Sequence, residues 1–206
     1  HSVFLVQPIA KGRVDELVRA GTYSVLLRGY RNGNYEESLE FVNVIRGGCN
    51  PFEGDGMSAM LAAALSPSLS VVTSNTTEAG IFFEEHPKPH NYPSLLTAVL
   101  RERSAAALPP LSILPLELIE NNGQALKTCV ERYARLWKYD DVFFDYLDAC
   151  RFYDTLVDRI VPGFPAKDAP ELFRKLGKED PNITSGELFH LFVIQKMVKS
   201  AGGVAS

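Results

Sequence analysis

A run of short polar side chains at residues 74–80 is the first candidate for chemistry in this sequence. Its letters are SNTTEAG, and it follows directly on the apolar stretch that contains Val71 and Val72. Apolar residues that give way to hydroxyl, amide and carboxyl groups and a glycine are typical of the place where an open α/β sheet presents a ligand site. The alternative is an ordinary turn in which the strand leaves the core for solvent.

A second candidate is a pair of carboxylates in the segment LELIENNG. Glu117 and Glu120 have the residue types of a general acid–base pair, which would be typical of a hydrolase. A carboxylate beside Asn121, Asn122 and Gly123 is equally typical of a helix cap or a turn. Both interpretations are open at this point.

The pair Asp158 and Arg159 lies between apolar neighbours, in the segment TLVDRIV. Charged groups near buried surface must be paired or used, since desolvating an isolated charge is costly. We therefore predict that at least one of the two side chains is largely buried and hydrogen-bonded. A functional charge and a structural ion pair are both compatible with these residue types.

His86 and His90 have the four-residue spacing of two metal ligands on one helix face. Pro87 and Pro89 lie between these positions and forbid the helix, since proline lacks the amide hydrogen that a helix interior requires. No cysteine lies nearby. The sequence therefore predicts a loop here and no metal site.

Composition narrows the class of protein. The 206 residues are 46% hydrophobic and 22% charged, with a net charge of −4 and no basic block, which argues against nucleic-acid binding. No apolar run approaches the roughly 18 residues of a membrane span, and the first residues do not have the pattern of a signal peptide. Three cysteines without CxxC spacing favour reduced, structural thiols in a cytoplasmic protein: Cys49, Cys129 and Cys150.

Strand and helix patterns alternate along the chain. Continuous apolar runs predict neighbouring strands at 3–7, 69–74 and 111–115, the first buried on both faces. Alternating residues around Asn32 and Gly33 predict a β-hairpin. Helical spacing predicts helices in the order that a parallel sheet requires. The last of these helices is predicted to begin at an aspartate cap and to end near Val157. A further segment, SGELFHLFVIQ, fits a helix-to-strand junction or a late strand. The fold class is α/β, a mainly parallel sheet flanked by helices.

Six segments in this order resemble the mannitol dehydrogenase family of polyol-specific long-chain dehydrogenases. They are VQPI, YSVLLRG, SNTTEAGI, LPLELIENNGQALK, TLVDRIV and HLFVIQ. SNTTEAGI is the most specific and resembles the members that act on the hexuronate tagaturonate, whereas VDRI is shared across the family. The resemblance implies NAD as cofactor and a Rossmann-type domain over residues 1–195, incomplete at the N-terminus. Residues 196–206 would then be a truncated tail leading to a missing helical catalytic domain.

The resemblance also implies roles for individual residues. The candidates to face the cofactor are Asn75, Thr76, Thr77 and Glu78. The candidates to bind the sugar-acid substrate are Asn122, Asp158 and Arg159. Mannitol-type relatives have an oxyanion-stabilising asparagine at the position of Leu118, so that role is not carried over.

Two family motifs are absent from the sequence. The first strand-like run is followed by QPIAKGR and not by a glycine-rich GxGxFxR turn, and the catalytic lysine of the family has no matching segment. The resemblance therefore implies an internal piece of an enzyme, inactive alone, with its general acid–base lysine outside the chain.

The expected reaction of the parent is hydride transfer from NADH to the keto carbon of tagaturonate, which gives altronate. Fructuronate reduction and mannitol oxidation are alternatives within the same family. A non-catalytic binding or scaffold module is the alternative from another class, and hydrolysis through Glu117 and Glu120 is a third.

Overall fold

The structure of the chain, a computed structural model, describes residues 2–195. These residues form two compact units. The first contains residues 2–63 and Asp158–Leu191, and the second contains Ala64–Val157 and residues 192–195. The predicted tail at 196–206 lies outside the described residues, and the prediction of one Rossmann-type domain over 1–195 stays a prediction.

Strands and helices alternate through much of the described chain. The strands are β1 (Val3–Val6), β2 (Tyr23–Arg31), β3 (Asn34–Val42), β4 (Ile45–Cys49), β5 (Val71–Ser74), β6 (Ser112–Pro115), β7 (Arg151–Phe152), β8 (Thr155–Asp158), β9 (Thr184–Glu187) and β10 (Leu191–Ile194). The helices are α1 (Val14–Ala20), α2 (Gly56–Ala64), α3 (Tyr92–Ala105), α4 (Asn122–Leu136), α5 (Asp141–Ala149) and α6 (Ala169–Leu176). None of these helices is long and apolar enough to cross a membrane.

The first unit contains the predicted hairpin. Strands β2 and β3 pair antiparallel from Tyr23 opposite Val42 to Arg31 opposite Asn34, and β9 pairs parallel with the other edge of β2. The turn residues Asn32 and Gly33 both have positive φ, 53° and 81°, as a two-residue hairpin turn requires. The hairpin prediction is confirmed.

Strand β1 is present, but two predictions about it are wrong. It pairs parallel with β4 in a sheet of its own and not with β5. Val3 and Phe4 are 42% and 40% exposed, so the strand is not buried on both faces. A four-residue apolar run indicates a strand, but it does not carry information about which strand becomes its neighbour.

The second unit contains a parallel sheet in the order β5-β6-β7. The predicted neighbours 69–74 and 111–115 pair from Val71 opposite Ser112 to Ser74 opposite Pro115. Apolar side chains from the sheet and its three helices form one core, which includes Leu100, Ile113, Leu126, Val130, Phe143 and Phe152. The prediction of a parallel sheet flanked by helices is confirmed.

The helix that begins after Asp140 is shorter than its sequence pattern predicts. Asp140 caps it as expected, since its side chain accepts a hydrogen bond from the Phe143 amide at 3.1 Å. The helix ends at Ala149, however, and the chain continues as β7 and β8, so the predicted end near Val157 is wrong. Phe152 is buried and pairs with Ile113 of β6, and this tertiary pairing overrides the helical spacing. The segment SGELFHLFVIQ forms strands, which confirms the strand alternative.

Candidate functional site

The polar segment 74–80 lies at the carboxyl edge of the parallel sheet in the second unit. It follows β5, and the segment that follows the adjacent strand β6 runs beside it, since the ends of parallel strands meet at the same edge. The two segments are joined by a hydrogen bond from the Leu116 amide to the Ser74 carbonyl at 2.8 Å. The predicted ligand segment thus lies where an open α/β sheet binds its ligands.

Glu117 is the side chain that connects the two segments. It is only 1% exposed, and its two oxygens accept hydrogen bonds from the Ser74 hydroxyl at 3.0 Å, the Thr76 amide at 2.9 Å and the Thr76 hydroxyl at 2.8 Å. Among residues 2–195 it has no salt-bridge partner, so these three donors are what compensates its burial.

The backbone of the segment is strained at Thr77, whose φ is +80°. Positive φ is costly for a β-branched residue, and such conformations persist only where the surroundings hold them. The next turn is closed by a hydrogen bond from the Gly80 amide to the Thr77 carbonyl at 3.0 Å. A Cβ at Gly80 would lie 1.9 Å from the Thr76 hydroxyl oxygen, so this position requires glycine.

The four side chains predicted to face the cofactor differ in their availability. Asn75, Thr77 and Glu78 are exposed, and within residues 2–195 their side chains make no hydrogen bond. Thr76 is half-buried, and its hydroxyl is committed to Glu117. Three free polar groups and one anchored residue therefore occur in four consecutive positions. Their contact with a cofactor stays a prediction.

A buried hydroxyl group of Tyr92 lies near the same edge. Its oxygen has no hydrogen-bond partner among residues 2–195. Burial raises the pKa of the Tyr92 phenol far above its usual value, the nearby Ser74 hydroxyl lowers it, and the charge of Glu117 raises it. A buried polar atom without a protein partner indicates a group that a water molecule or a ligand satisfies. Nothing in the sequence pointed to this tyrosine.

Asn122, predicted to bind substrate, is buried and bonded to the backbone on all sides. The two N–H groups of its side-chain amide are shared among the carbonyl oxygens of Pro115, Glu117 and Thr155, at 2.9–3.1 Å from the nitrogen, and its amide oxygen accepts from the Thr155 backbone amide at 2.9 Å. The side chain thereby fastens the end of β6 to the start of β8. Its role toward the substrate stays a prediction, and the geometry gives it a supporting function.

The helix cap expected from Glu117 or Glu120 comes from elsewhere. Asp154 accepts hydrogen bonds from the amides of Gly123 and Gln124, at 2.8 and 3.1 Å, and so caps α4. Glu120 is exposed, whereas Glu117 is buried against Ser74 and Thr76. The two carboxylates have different surroundings, so the geometry gives no support to paired hydrolysis.

The predicted burial of Asp158 or Arg159 is wrong. Both residues are exposed, and within the described residues they form no ion pair with each other. Arg159 donates instead to the Glu187 carbonyl, with 3.0 Å between its Nε and the oxygen. The flanking Leu156 and Ile160 are themselves 51% and 64% exposed, so apolar neighbours do not imply buried surface here.

The remaining candidates are a histidine pair and three thiols. The rings of His86 and His90 lie with their centroids 4.5 Å apart and their planes tilted by 39°. Residues 2–195 contain no group of three His, Cys, Asp or Glu side chains that could hold a metal ion. The cysteines are free and buried, and burial raises the pKa of each thiol, which makes it unreactive: Cys49, Cys129 and Cys150.

Comparisons with known proteins identify relatives over almost the whole chain. Residues 4–204 match the family model of the mannitol dehydrogenase Rossmann domain. The chain is 38% identical to the altronate oxidoreductase of Halalkalibacterium halodurans over 94% of its length and 40% of that protein. It is 40% identical to the altronate oxidoreductase of Phocaeicola vulgatus, over 94% of its length and 42% of that protein. The chain therefore spans about two-fifths of the length of these relatives.

Two solved structures have the same fold. One is mannitol 2-dehydrogenase of Pseudomonas fluorescens in a ternary complex with NAD and D-mannitol, with a TM-score of 0.80 over 95% of this chain and 43% of that one. The other is D-sorbitol dehydrogenase in substrate-free form, with a TM-score of 0.76 over 94% of this chain and 43% of that one. Both are 19% identical to the chain, so the likeness concerns the Rossmann-type fold.

Proposed function

Since the chain belongs to the mannitol dehydrogenase family, we propose that it is the nucleotide-binding part of an NAD-dependent oxidoreductase that reduces tagaturonate to altronate. The observation that carries the proposal is the 38–40% identity to altronate oxidoreductases across nearly the whole chain. Because those relatives are more than twice as long, the activity is proposed for the protein encoded by the complete reading frame.

The residues at the sheet edge fit a nucleotide cofactor. Asn75, Thr77 and Glu78 have free hydrogen-bonding groups of the kinds that bind ribose hydroxyl and carboxamide groups. The buried Tyr92 hydroxyl has no hydrogen-bond partner among residues 2–195. NAD supplies the hydride chemistry when it is bound, and the protein supplies orientation and electrostatics. The chain contains no GxGxFxR segment, so none of its residues is assigned to the pyrophosphate.

Two further residues are proposed for the substrate. Asp158 and Arg159 are exposed charged groups, and a guanidinium group matches the carboxylate of a hexuronate in geometry and charge. Asn122 is proposed to act within the second unit, where it supports the backbone at Pro115 and Glu117. Proton transfer is assigned to a lysine beyond this chain, as in the family.

The proposal is tested with the protein expressed from its complete reading frame. NADH oxidation at 340 nm is followed with tagaturonate, fructuronate and fructose in parallel, and then with NADPH in place of NADH. We expect kcat/KM to be highest for tagaturonate with NADH.

Two other outcomes would correct the proposal. A preference for fructuronate or fructose would move the protein to a sister branch of the family. Absence of NADH binding and of turnover with all three sugars would favour a non-catalytic binding module.

A further inference from the structure

We propose that Glu117 is a positioning residue that holds the 74–80 segment in its ligand-binding conformation from inside the second unit. The inference rests on the proposed function, since the ligand concerned is NADH. Glu117 is buried and acts through Thr76, so it is not expected to touch the cofactor itself.

Among residues 2–195, the hydrogen bonds of the Glu117 carboxylate serve the 74–80 segment alone. All three hydrogen bonds to its side chain come from Ser74 and Thr76, and among residues 2–195 no cation balances it. An apolar side chain would fill a buried position at a strand end without the desolvation cost of a carboxylate. The presence of a carboxylate at this buried position is therefore explained by its hydrogen bonds to Ser74 and Thr76.

The backbone is strained at the residue that follows the Thr76–Glu117 hydrogen bonds. Thr77 has a φ of +80° and directly follows Thr76, whose amide and hydroxyl are both bonded to Glu117. Once that anchor is lost, Thr77 relaxes to negative φ, because the remaining hydrogen bond at this point, from the Gly80 amide to the Thr77 carbonyl, lies within the segment and does not tie it to the rest of the unit. The relaxation redirects Asn75, Thr77 and Glu78, the three side chains that are free to meet a ligand.

The backbone of Glu117 is itself held in place by hydrogen bonds. The Glu117 carbonyl accepts a hydrogen bond from the buried Asn122 amide at 2.9 Å, and the preceding amide, that of Leu116, donates to the Ser74 carbonyl at 2.8 Å. The backbone of Glu117 is therefore fixed to the start of α4 and to the end of β5. A fixed backbone lets a single side chain determine the conformation of the polar segment.

The test compares three substitutions of Glu117 in the protein from the complete reading frame. Glu117→Gln keeps an oxygen for Thr76, and the Ser74 hydroxyl can turn to accept from the new amide. Glu117→Asp keeps the charge but is one methylene too short to reach both partners. Glu117→Leu removes every acceptor and is matched by Asp180→Leu, which removes a buried carboxylate that accepts from the Ser24 and Asn182 amides in the first unit.

Two quantities are measured for each variant: the NADH dissociation constant, by fluorescence titration, and hydrogen exchange of the Thr76 amide without ligand. We expect Glu117→Gln to bind NADH within about twofold of wild type. We expect the Asp and Leu variants to bind roughly ten- to a hundredfold more weakly, with faster exchange at Thr76. Asp180→Leu is expected to lower thermal stability while both quantities stay at the wild-type level.

The relative NADH affinities of the Glu117 variants test the role proposed for this residue. Weak binding by Glu117→Gln with normal binding by Glu117→Asp would show that the charge matters and not the position, and would overturn it. Wild-type affinity in all three variants would overturn it as well and leave the proposed function standing. A wild-type protein that does not bind NADH would contradict the proposed function and, with it, the inference.

Discussion

Arg103 shows how a single residue organises the second unit. It is 0% exposed, yet no carboxylate pairs with it among residues 2–195. Its Nη atoms donate to the carbonyls of Ala64, Ser66, Leu69 and Pro109 at 2.6–3.3 Å, and its Nε lies 3.3 Å from the Tyr146 hydroxyl. The fork of five donors that distinguishes arginine from lysine is therefore fully used. These bonds hold together the turns that precede β5 and β6.

We predict that Arg103→Lys destabilises the protein by about 2–4 kcal/mol, because an ammonium group has three donors and leaves buried carbonyls unpaired. The measurement is chemical denaturation followed by circular dichroism. Arg101→Lys is the matched control two positions away on α3, where the guanidinium meets Asp140 in a partly exposed ion pair at 3.1 Å. It is expected to cost under about 1 kcal/mol. Equal losses in the two variants would contradict the role assigned to Arg103.

At the scale of elements, α5 depends on a cap with a pH-dependent strength. The hydrogen bond from the Phe143 amide to Asp140, together with the nearby Arg101, lowers the pKa of the Asp140 carboxyl below its usual 3.8. A lowered pKa in the folded state means that the stabilisation is complete above about pH 4 and is lost as the pH falls through the folded-state pKa.

We therefore predict that Asp140→Ala lowers the melting temperature at pH 7 and that the difference from wild type narrows as the pH falls from 4 toward 2. Asp140→Asn should retain most of the cap, because an amide oxygen also accepts from an amide at this position. Thermal melts across this pH range measure both effects. A difference that is constant from pH 7 to pH 2 would show that the carboxylate charge does not contribute.

Elements that are determined by residues close in the sequence could be predicted, and elements that are determined by distant strands could not. The hairpin at Asn32 and Gly33 and the cap at Asp140 are set by residues within a few positions, and both predictions were confirmed. The end of α5 and the partner of β1 are set by distant strands, and both predictions were wrong. Local patterns contain no information about such pairings.

The candidate site follows the same rule. The position of SNTTEAG after a strand was predictable, because an apolar run and the polar residues that follow it are local features. The hydrogen bonds from Ser74 and Thr76 to Glu117 join residues more than 40 positions apart in the sequence. No local sequence pattern predicts them. The cap on α4 comes likewise from Asp154, 31 residues beyond Gly123.

At the scale of the whole molecule, the resemblance drawn from six short segments is confirmed by the family match over residues 4–204 and by relatives named altronate oxidoreductase. Whereas YSVLLRG lies within β2, two of these segments lie at strand ends and turns, namely the segment anchored by Glu117 and the one that contains the start of α4 at Asn122 and Gly123. The glycine is required there, since a Cβ would lie 2.5 Å from the Tyr153 carbonyl. Such steric and hydrogen-bonding demands restrict which residues these positions can hold.

The helices of the second unit begin at N-termini that are already capped. A pyrophosphate is held by free amides of a glycine turn at a helix N-terminus. In the second unit, the three helices α3, α4 and α5 are capped by the protein's own side chains, Asn91, Asp154 and Asp140. These N-termini are therefore not free to bind phosphate, and the sequence has no GxGxFxR segment.

We predict that this 206-residue polypeptide binds NADH at least about tenfold more weakly than the protein from the complete reading frame. We also predict that it gives no tagaturonate-dependent NADH oxidation, because proton transfer needs a lysine within hydrogen-bond reach of the substrate oxygen. Lys127 does not offer one, since its ammonium is paired with Asp148 at 2.8 Å. Fluorescence titration and absorbance at 340 nm measure the two properties, and a cooperative thermal melt verifies that the polypeptide is folded. Turnover by the folded polypeptide would mean that its own residues hold the pyrophosphate and transfer the proton.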